Sequence, residues 1–588
     1  MINDFKINNL ISALGLIVIS FALYSHTIHY DFFIFDDYTH VLSLSKNLSF
    51  SEVLEMWKSS NTPLILNFWQ LETALFGIDL PEPYRIVSIF IHGVNSFLVF
   101  YLVKLFLTFY SKEKFIENIS LFGAIVFLIH PINIESVVWI SSQKDLIAMT
   151  FGSLSFIQYL KFHKNQKNIS MILTIVFLVL SVLFKPSTAG LPIVYLSLEI
   201  LFFKKSIKQA VSRYGFLSLI VLGVIIVHKT INKLPSLYED ISIASKALIV
   251  ISSFQHYFFN LIISFTQSFD YQLNPLELVK NIKETISTKF LIFSSLGVIW
   301  FCLKNILNQK KEYITIPIVV FTGIVSVNLG LITYIFQNIS TVADRYMYFP
   351  SIAISFLIAM TYCKYHKKLK KEQWSVVFIF IILAYGSLNI VRAQNWKSSE
   401  TILKAGIDNG YKSYILYVAL AEDLIKQRKF EESLFYAEKA IEIGPTILPA
   451  YLKKFDYLRR EDDDEKFLNF VNEVKNSAVG YTPEFIAAIG LHYLYQDRIY
   501  KAEEMVKPHL TFFSDQKEIV DFFSRVYKKK SFYKITSLLS LAELLTSEGK
   551  YLQSISILEK LKKYMGGKGP VVKEIDSQIK ELKSKSKG

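Results

Sequence analysis

Up to about residue 395, apolar runs long enough for a bilayer core alternate with short polar segments. Beyond about residue 397 they give way to amphipathic stretches with charged faces. A helix needs about 20 apolar residues to cross the hydrocarbon core. Runs of that kind lie near 8–26, 84–110, 119–131, 144–160, 169–184, 187–203, 214–228, 247–265, 289–303, 314–334, 347–363 and 374–392. Each predicts a helix, and their succession predicts an all-α, polytopic membrane bundle. The first run follows a short basic start at Lys6 and precedes no small-residue cleavage pattern, so it reads as a retained anchor with a cytoplasmic N-terminus.

Charge sets the orientation. Five short loops, 111–118, 161–168, 204–213, 304–312 and 364–371, hold 17 Lys and Arg in 43 residues, as cytoplasmic loops do. With all five inside and both 229–246 and 266–288 outside, one candidate cannot cross. The run 247–265 is the natural exception, because ISSFQHYFFN puts Gln255, His256 and Asn260 at its centre. It predicts a re-entrant or interfacial helix beside a cavity. Eleven crossings then leave everything after 393 outside the cytoplasm, whereas twelve would reverse the tail.

Composition agrees. The 588 residues are 52% hydrophobic with mean hydropathy +0.34, too apolar for one soluble core of ordinary composition. The net charge of +14 would suggest nucleic acid on a soluble protein. Here much of the basic excess sits in inner loops, which excludes that class. Cys302 and Cys363, both in or at the end of apolar runs, supply neither a disulfide framework nor a zinc site.

The tail accepts a 34-residue helical-hairpin template. With Pro445 as its closing proline, Tyr417, Leu420, Ala421, Leu424 and Ala440 take the packing positions. A second fit uses Ile489, Gly490, Tyr493 and Ala502, and a third uses Leu538, Leu541, Ala542, Leu545 and Ser554, whereas 448–478 fits poorly. This pattern is similar to tetratricopeptide repeats, whose stacked hairpins form a groove for protein or peptide. A generic hairpin array is the plainer alternative. The organisation expected is a membrane domain over 1–395, with an outer loop at 27–83, and a tetratricopeptide-like α-solenoid over 396–588.

Ionisable residues near membrane spans are costly and therefore candidates for function. The first outer loop carries FDDY, with Asp36 and Asp37 adjacent. Neighbouring carboxylates repel, which raises one pKa and suits a general base or metal ligand; such a pair also serves as a helix cap or solvated turn. The segment HPINIESVVWISSQKDL bridges the third and fourth runs and contains His130, Glu135, Trp139, Lys144 and Asp145. Glu135 and Trp139, four apart, share a helix face. Taken singly, His130 reads equally well as a satisfied core residue, Lys144 as a snorkelling side chain and Asp145 as a macrodipole cap. FKPST places Lys185 just before a helix N-terminus, a geometry that attracts phosphate, or else a site for snorkelling. VADRYMYFPS places Asp344, Arg345, Tyr346 and Tyr348 at the mouth of the eleventh run. Arg345 suits a bidentate phosphate clamp, or a local pair with Asp344 within an aromatic belt. The topology puts these clusters on one membrane face. Together they offer a base carboxylate and cations for a phosphate at the lipid boundary.

These residues resemble a known family, the TMTC proteins, which are transmembrane and tetratricopeptide-repeat O-mannosyltransferases of the GT-C class. The resemblance rests on FDD, on HPINIESVVWISSQKDL (similar to the family's H-P-x-x-x-E-x-V-x-W-x-x-x-[RK]-x-D), on KPST, on ADRYMYFPS and on RAQNW before the repeats. It implies a GT-C-like fold, a sugar donor on a polyprenyl phosphate, an acidic residue of the first outer loop as base, and basic residues around the donor phosphate. Carried onto this chain, the base is Asp36 or Asp37, and the phosphate cations are Lys144, Lys185 and Arg345. His130, Glu135, Trp139, Asp145, Asp344 and Tyr346 would shape the site or hold sugar hydroxyls. No cofactor is required beyond the lipid-phosphate-sugar donor, and no metal is indicated. The partners are that donor, membrane lipid and an acceptor protein presented by the repeat groove, with no nucleic acid. The repeat array is shorter and more degenerate than in animal members. The Lys, Asn, Ile and Phe-rich composition looks bacterial, which implies an inner-membrane enzyme with a periplasmic tail and undecaprenyl phosphate as carrier. The expected activity is inverting sugar transfer to Ser or Thr hydroxyls of extracytoplasmic proteins. The rivals are a membrane-anchored repeat scaffold for envelope proteins, and a GT-C enzyme acting on a glycan or lipid.

Overall fold

The structure is a computed structural model. It describes residues 2–42, 62–113, 115–231, 242–262, 264, 266–273, 275, 297, 299–304, 312–330, 335–461, 463–477, 479, 482–496, 498–506, 542, 545–546, 551–564 and 570–586. Among the described residues it is helical, with no strand. The chain forms two compact units, 1–423 and 424–588.

Helices occupy eleven of the twelve expected positions, and 289–303 lies largely outside the described residues. By length and apolar character, three of the described helices can cross a membrane: Asn9–Thr27, Glu82–Tyr110 and Lys371–Lys397. A fourth span results if Ile116–Ile129 and Pro131–Val138, bent by 49° at His130, count as one. Asn168–Phe184, Pro186–Leu201, Glu312–Asn328 and Ile352–Tyr365 are apolar but shorter. Prolines explain much of the shortening, since each removes a backbone donor: Pro131, Pro186 and Pro192 open helical segments, and Pro317 lies inside one. The segment expected to be re-entrant or interfacial is one unbroken helix, Ile243–Ile262.

Glu82–Tyr110 is the axis of the first unit. It packs against Ile2–Tyr24, Ile116–Ile129 and Gln143–Asn165. Without a hydrophobic drive between helices in lipid, hydrogen bonds and close contacts of small residues hold such bundles together. His92 shows the pattern: its Nε2–H donates to the Leu128 carbonyl (3.0 Å), so Nδ1 accepts from the Tyr348 hydroxyl (2.8 Å). Asn95 donates to the Leu146 carbonyl (2.9 Å) and accepts from Thr150 (2.7 Å). Ser20, Ser181 and Ser355 each donate to a carbonyl of a neighbouring helix, those of Ile89, Ala148 and Gly123.

The change in hydropathy near 395 and the change in compactness at 423 do not coincide. Residues 397–413 explain the difference, because they bond to loops of the apolar part. Asp31 N donates to the Lys397 carbonyl (3.1 Å) and Ile34 N to the Ser399 hydroxyl (2.9 Å). Asn409 donates to the Gln267 carbonyl (2.9 Å), and the Lys412 N–H to the Gln272 side chain (2.8 Å). The Ser413 hydroxyl donates to the Asp270 carboxylate. The chain therefore leaves its last apolar helix at the end of the bundle that carries the loop of Asp31 and Ile34.

The second unit is a set of helix pairs. Phe430–Ile443 packs on Leu448–Leu458, Pro483–Tyr495 on Ile499–Val506, and Tyr551–Tyr564 on Pro570–Lys585. The template positions Leu424, Ala440, Ile489, Tyr493, Ala502, Ala542, Leu545 and Ser554 are buried, as are Leu420 and Ala421 of the first unit. Leu538 and Leu541 lie outside the described residues. The poorly fitting stretch nevertheless contributes Phe455, Phe467, Phe470 and Val474 to the apolar core.

Two glycines fix the closest approach in the membrane part. A Cβ at Gly190 would overlap the carbonyl of Gly323, and one at Gly323 would lie 2.6 Å from Val194 Cγ2. Since the clash at Gly190 is with backbone, it cannot be relieved by a rotamer change. Gly190→Ala is expected to destabilise the protein by about 1–3 kcal/mol, read as a lowered melting temperature in detergent.

Candidate active site

The two aspartates of FDDY have opposite environments. Asp37 is fully buried. Its Oδ2 accepts from the Phe33 N–H (2.9 Å) and its Oδ1 from the Ser141 N–H (2.9 Å) and hydroxyl. Burial pushes its carboxyl above the ordinary range, against the pull of those bonds. Asp37 thus fastens the loop to the turn before helix Gln143–Asn165. Asp36 keeps a third of its side-chain surface and faces Lys144 at 3.1 Å and His40 at 3.9 Å. Burial opposes its charge, yet Lys144 and His40 outweigh that penalty and hold the carboxyl below its usual value.

Three cations lie nearby, each with a carboxylate. Lys144 pairs with Asp36, and its ammonium sits 6.0 Å from the centre of the Trp139 ring. Lys185, on the linker after helix Asn168–Phe184, pairs with Asp145 and lies 5.0 Å from the Tyr346 ring centre. Its ammonium is pushed down to about 8, chiefly by burial, with Asp145 opposing and Lys144 and Arg345 adding repulsion. Arg345 is buried against Glu135, which accepts from both its guanidinium and its backbone N–H (3.1 Å). Four rings surround that guanidinium: Phe336 at 4.1 Å, Trp139 and Tyr346 at 5.0 Å, and Phe269 at 5.9 Å. Such rings favour a desolvated cation over their faces.

The structure therefore brings Asp36, Glu135, Trp139, Lys144, Asp145, Lys185, Arg345 and Tyr346 into one neighbourhood. Helix Ile134–Val138 ends before Trp139, whose backbone is extended, so the pair does not share a helix face as expected, but both side chains meet Arg345. Two expected residues are engaged otherwise. His130 Nδ1 accepts from Ile132 N (3.2 Å) while Nε2–H donates to the Leu261 carbonyl (2.9 Å), so both ring nitrogens serve the backbone where the helix breaks. Asp344 does not pair with its neighbour Arg345. It takes Arg392 (3.0 Å) and the Tyr271 hydroxyl (2.7 Å), and burial raises its carboxyl against the pull of Arg392. Among the described residues, no three His, Cys, Asp or Glu side chains converge as metal ligands would.

Several participants escape a reading of the sequence. Ser141 is an ordinary turn serine, Phe269 comes from a loop, and Phe336 comes from the short 3-10 turn Ile335–Asn338, the two phenylalanines without a motif. Arg392 carries a signal, a lone cation in the last turn of the apolar helix Lys371–Ala393. Glu72 belongs to the first outer loop. It is buried, bonded to Gln143 (3.0 Å), and pushed up to about 8 by burial, with Gln143 pulling the other way.

Comparison with known proteins agrees with this picture. The chain is similar to protein O-mannosyl-transferase TMTC4. Identity to the human and mouse proteins is 22% over 445 residues, covering 64% of this chain and 59% of theirs. The chain thus spans less than two thirds of those relatives. No family model and no solved structure matches it.

Two substitutions separate holding from reacting. Asp37→Asn is expected to cost about 1–3 kcal/mol, because a buried acceptor of three bonds is compromised. Glu135→Gln is expected to cost about 3–5 kcal/mol by leaving Arg345 buried without its anion. Thermal unfolding in detergent checks both.

Proposed function

We propose that this protein is a membrane glycosyltransferase of the GT-C type. It moves a sugar from a polyprenyl-phosphate donor to Ser or Thr hydroxyls of proteins on the outer membrane face. The observation that carries this reading is Asp36: a partly exposed carboxylate at the edge of a cluster of three cations, at one end of a bundle of apolar helices. The similarity to TMTC4, named a protein O-mannosyl-transferase, supports the reaction class and a mannose-type donor.

In the reaction, the acceptor hydroxyl attacks the anomeric carbon and its proton passes to Asp36. The bond between that carbon and the phosphate oxygen breaks, its electron pair staying on the lipid phosphate. Backside attack inverts the anomeric configuration. Lys144, Lys185 and Arg345 meet the charge that grows on the leaving oxygen, in surroundings where preorganised cations count for more than in water. Asp36 is the base because it alone of the adjacent pair is both ionised and accessible, whereas Asp37 spends its lone pairs on Phe33 and Ser141.

The acceptor would reach the site through the helix pairs of the tail, acting as a tetratricopeptide-like groove. The packing of residues 397–413 on the first outer loop supports a tail that starts on the acceptor side. The proposed setting is a bacterial inner membrane crossed eleven times, with a periplasmic tail and undecaprenyl phosphate as carrier.

Glycoproteomics of envelope proteins with and without the gene tests the function, and glycosylation unchanged on every protein would point to a scaffold instead. Asp36→Asn is expected to lower transfer by roughly 10²- to 10⁴-fold, the usual worth of a general base, while leaving the melting temperature close to wild type. Full activity in that variant would remove Asp36 from the mechanism.

A further inference from the structure

The three ion pairs of the site are not equally available to an incoming anion. Arg345 and Glu135 expose 4% and 2% of their side chains, and Lys185 and Asp145 expose 9% and 4%. Taking either cation from its partner would strand a carboxylate in a buried setting, which is strongly unfavourable. Lys144 and Asp36 expose 17% and 33%, and Asp36 is the one carboxylate bonded to Lys144 among the described residues. A partly exposed pair is worth little, so its separation shifts an equilibrium by about fivefold or less. A phosphate entering from the membrane edge therefore meets one cation it can recruit cheaply, and that cation belongs to the base.

Chemistry points the same way. A carboxylate oxygen that accepts from an ammonium group binds a proton poorly. Lys144 thus occupies Asp36 Oδ2 and, by its charge, weakens the whole carboxylate as a proton acceptor until the lysine turns elsewhere. The leaving phosphate is where negative charge grows, and it offers Lys144 a second anion within the same site.

We propose that Lys144 changes partner during the reaction, bonded to Asp36 before the donor arrives and to the donor phosphate afterwards, so that a seated donor is what frees the base. This rests on the reading of the site as one for sugar transfer from a lipid phosphate. It makes the order of binding a property of one side chain: donor first, acceptor second. The step stays balanced, since the acceptor proton moves to the vacated Asp36 oxygen as the phosphate oxygen keeps the electron pair of the broken bond.

The exchange implies that Asp36 competes with the donor. Undecaprenyl phosphate titrated into the full-length protein in detergent micelles measures that competition. Asp36→Asn is expected to bind it about two- to fivefold more tightly than wild type, even as its transfer falls. Lys144→Met, or Lys144→Gln should the first not fold, is expected to bind about tenfold more weakly. The decisive form is the double variant, in which the gain from Asp36→Asn should vanish because no lysine is left to compete for. Lys144→Arg, which keeps the charge, should stay close to wild type in affinity. Binding by Asp36→Asn no tighter than wild type, or a gain that survives without Lys144, overturns the exchange while leaving the transferase reading intact. Failure of every form to bind the lipid overturns both.

Discussion

A cation placed where water is scarce must bring an anion with it, and the end of this bundle that carries Asp36 is organised by that requirement. Lys185, Arg345 and Arg392 are all buried, and each is answered by a carboxylate from a different part of the chain: Asp145, Glu135 and Asp344. Burial makes these pairs expensive to break, so they act as fixed joints between helices that lipid does not otherwise press together. The joints hold Trp139, Tyr346 and the turn at Ser141 in place. Through Ser141 they hold Asp37, and through Asp37 the short loop that presents Asp36.

Against that framework the Asp36 loop is the adjustable part. Its anchor, Asp37, has its oxygens satisfied by hydrogen bonds from backbone and hydroxyl, whereas its exposed carboxylate, Asp36, is balanced by one lysine that water also reaches. A site that is rigid where it binds charge and yielding where it moves a proton suits group transfer.

Much of this was legible in the residues. Hydropathy located the helices, because burial in lipid and the 20-residue crossing length leave few ways to arrange such runs. The clusters around Asp36, Lys144, Lys185 and Arg345 were visible as charges that a membrane helix would avoid without a purpose. Pairing was not legible. Asp344 and Arg345 are adjacent and read as a local pair, but on a tight turn their side chains diverge, and Arg345 finds Glu135 210 positions away. The two aspartates of FDDY are chemically identical, and only Ser141, 104 positions further on, makes one of them structural. The attachment of the tail was hidden for a similar reason: the helix Ser399–Asp408 is amphipathic, yet its neighbourhood is bonded to the loops of the membrane part.

The attachment of residues 397–413 bears on how such proteins are rebuilt. A join at the end of the last apolar helix would look clean in the sequence. It would nonetheless discard the Lys397 carbonyl and the Ser399 hydroxyl, which receive the backbone N–H groups of Asp31 and Ile34 just ahead of Asp36. Any exchange of repeat arrays between such chains, by an engineer or by recombination, keeps this collar intact only when the crossover falls beyond Ser413. The unit of inheritance for the site is therefore the membrane helices together with the first amphipathic helices after them.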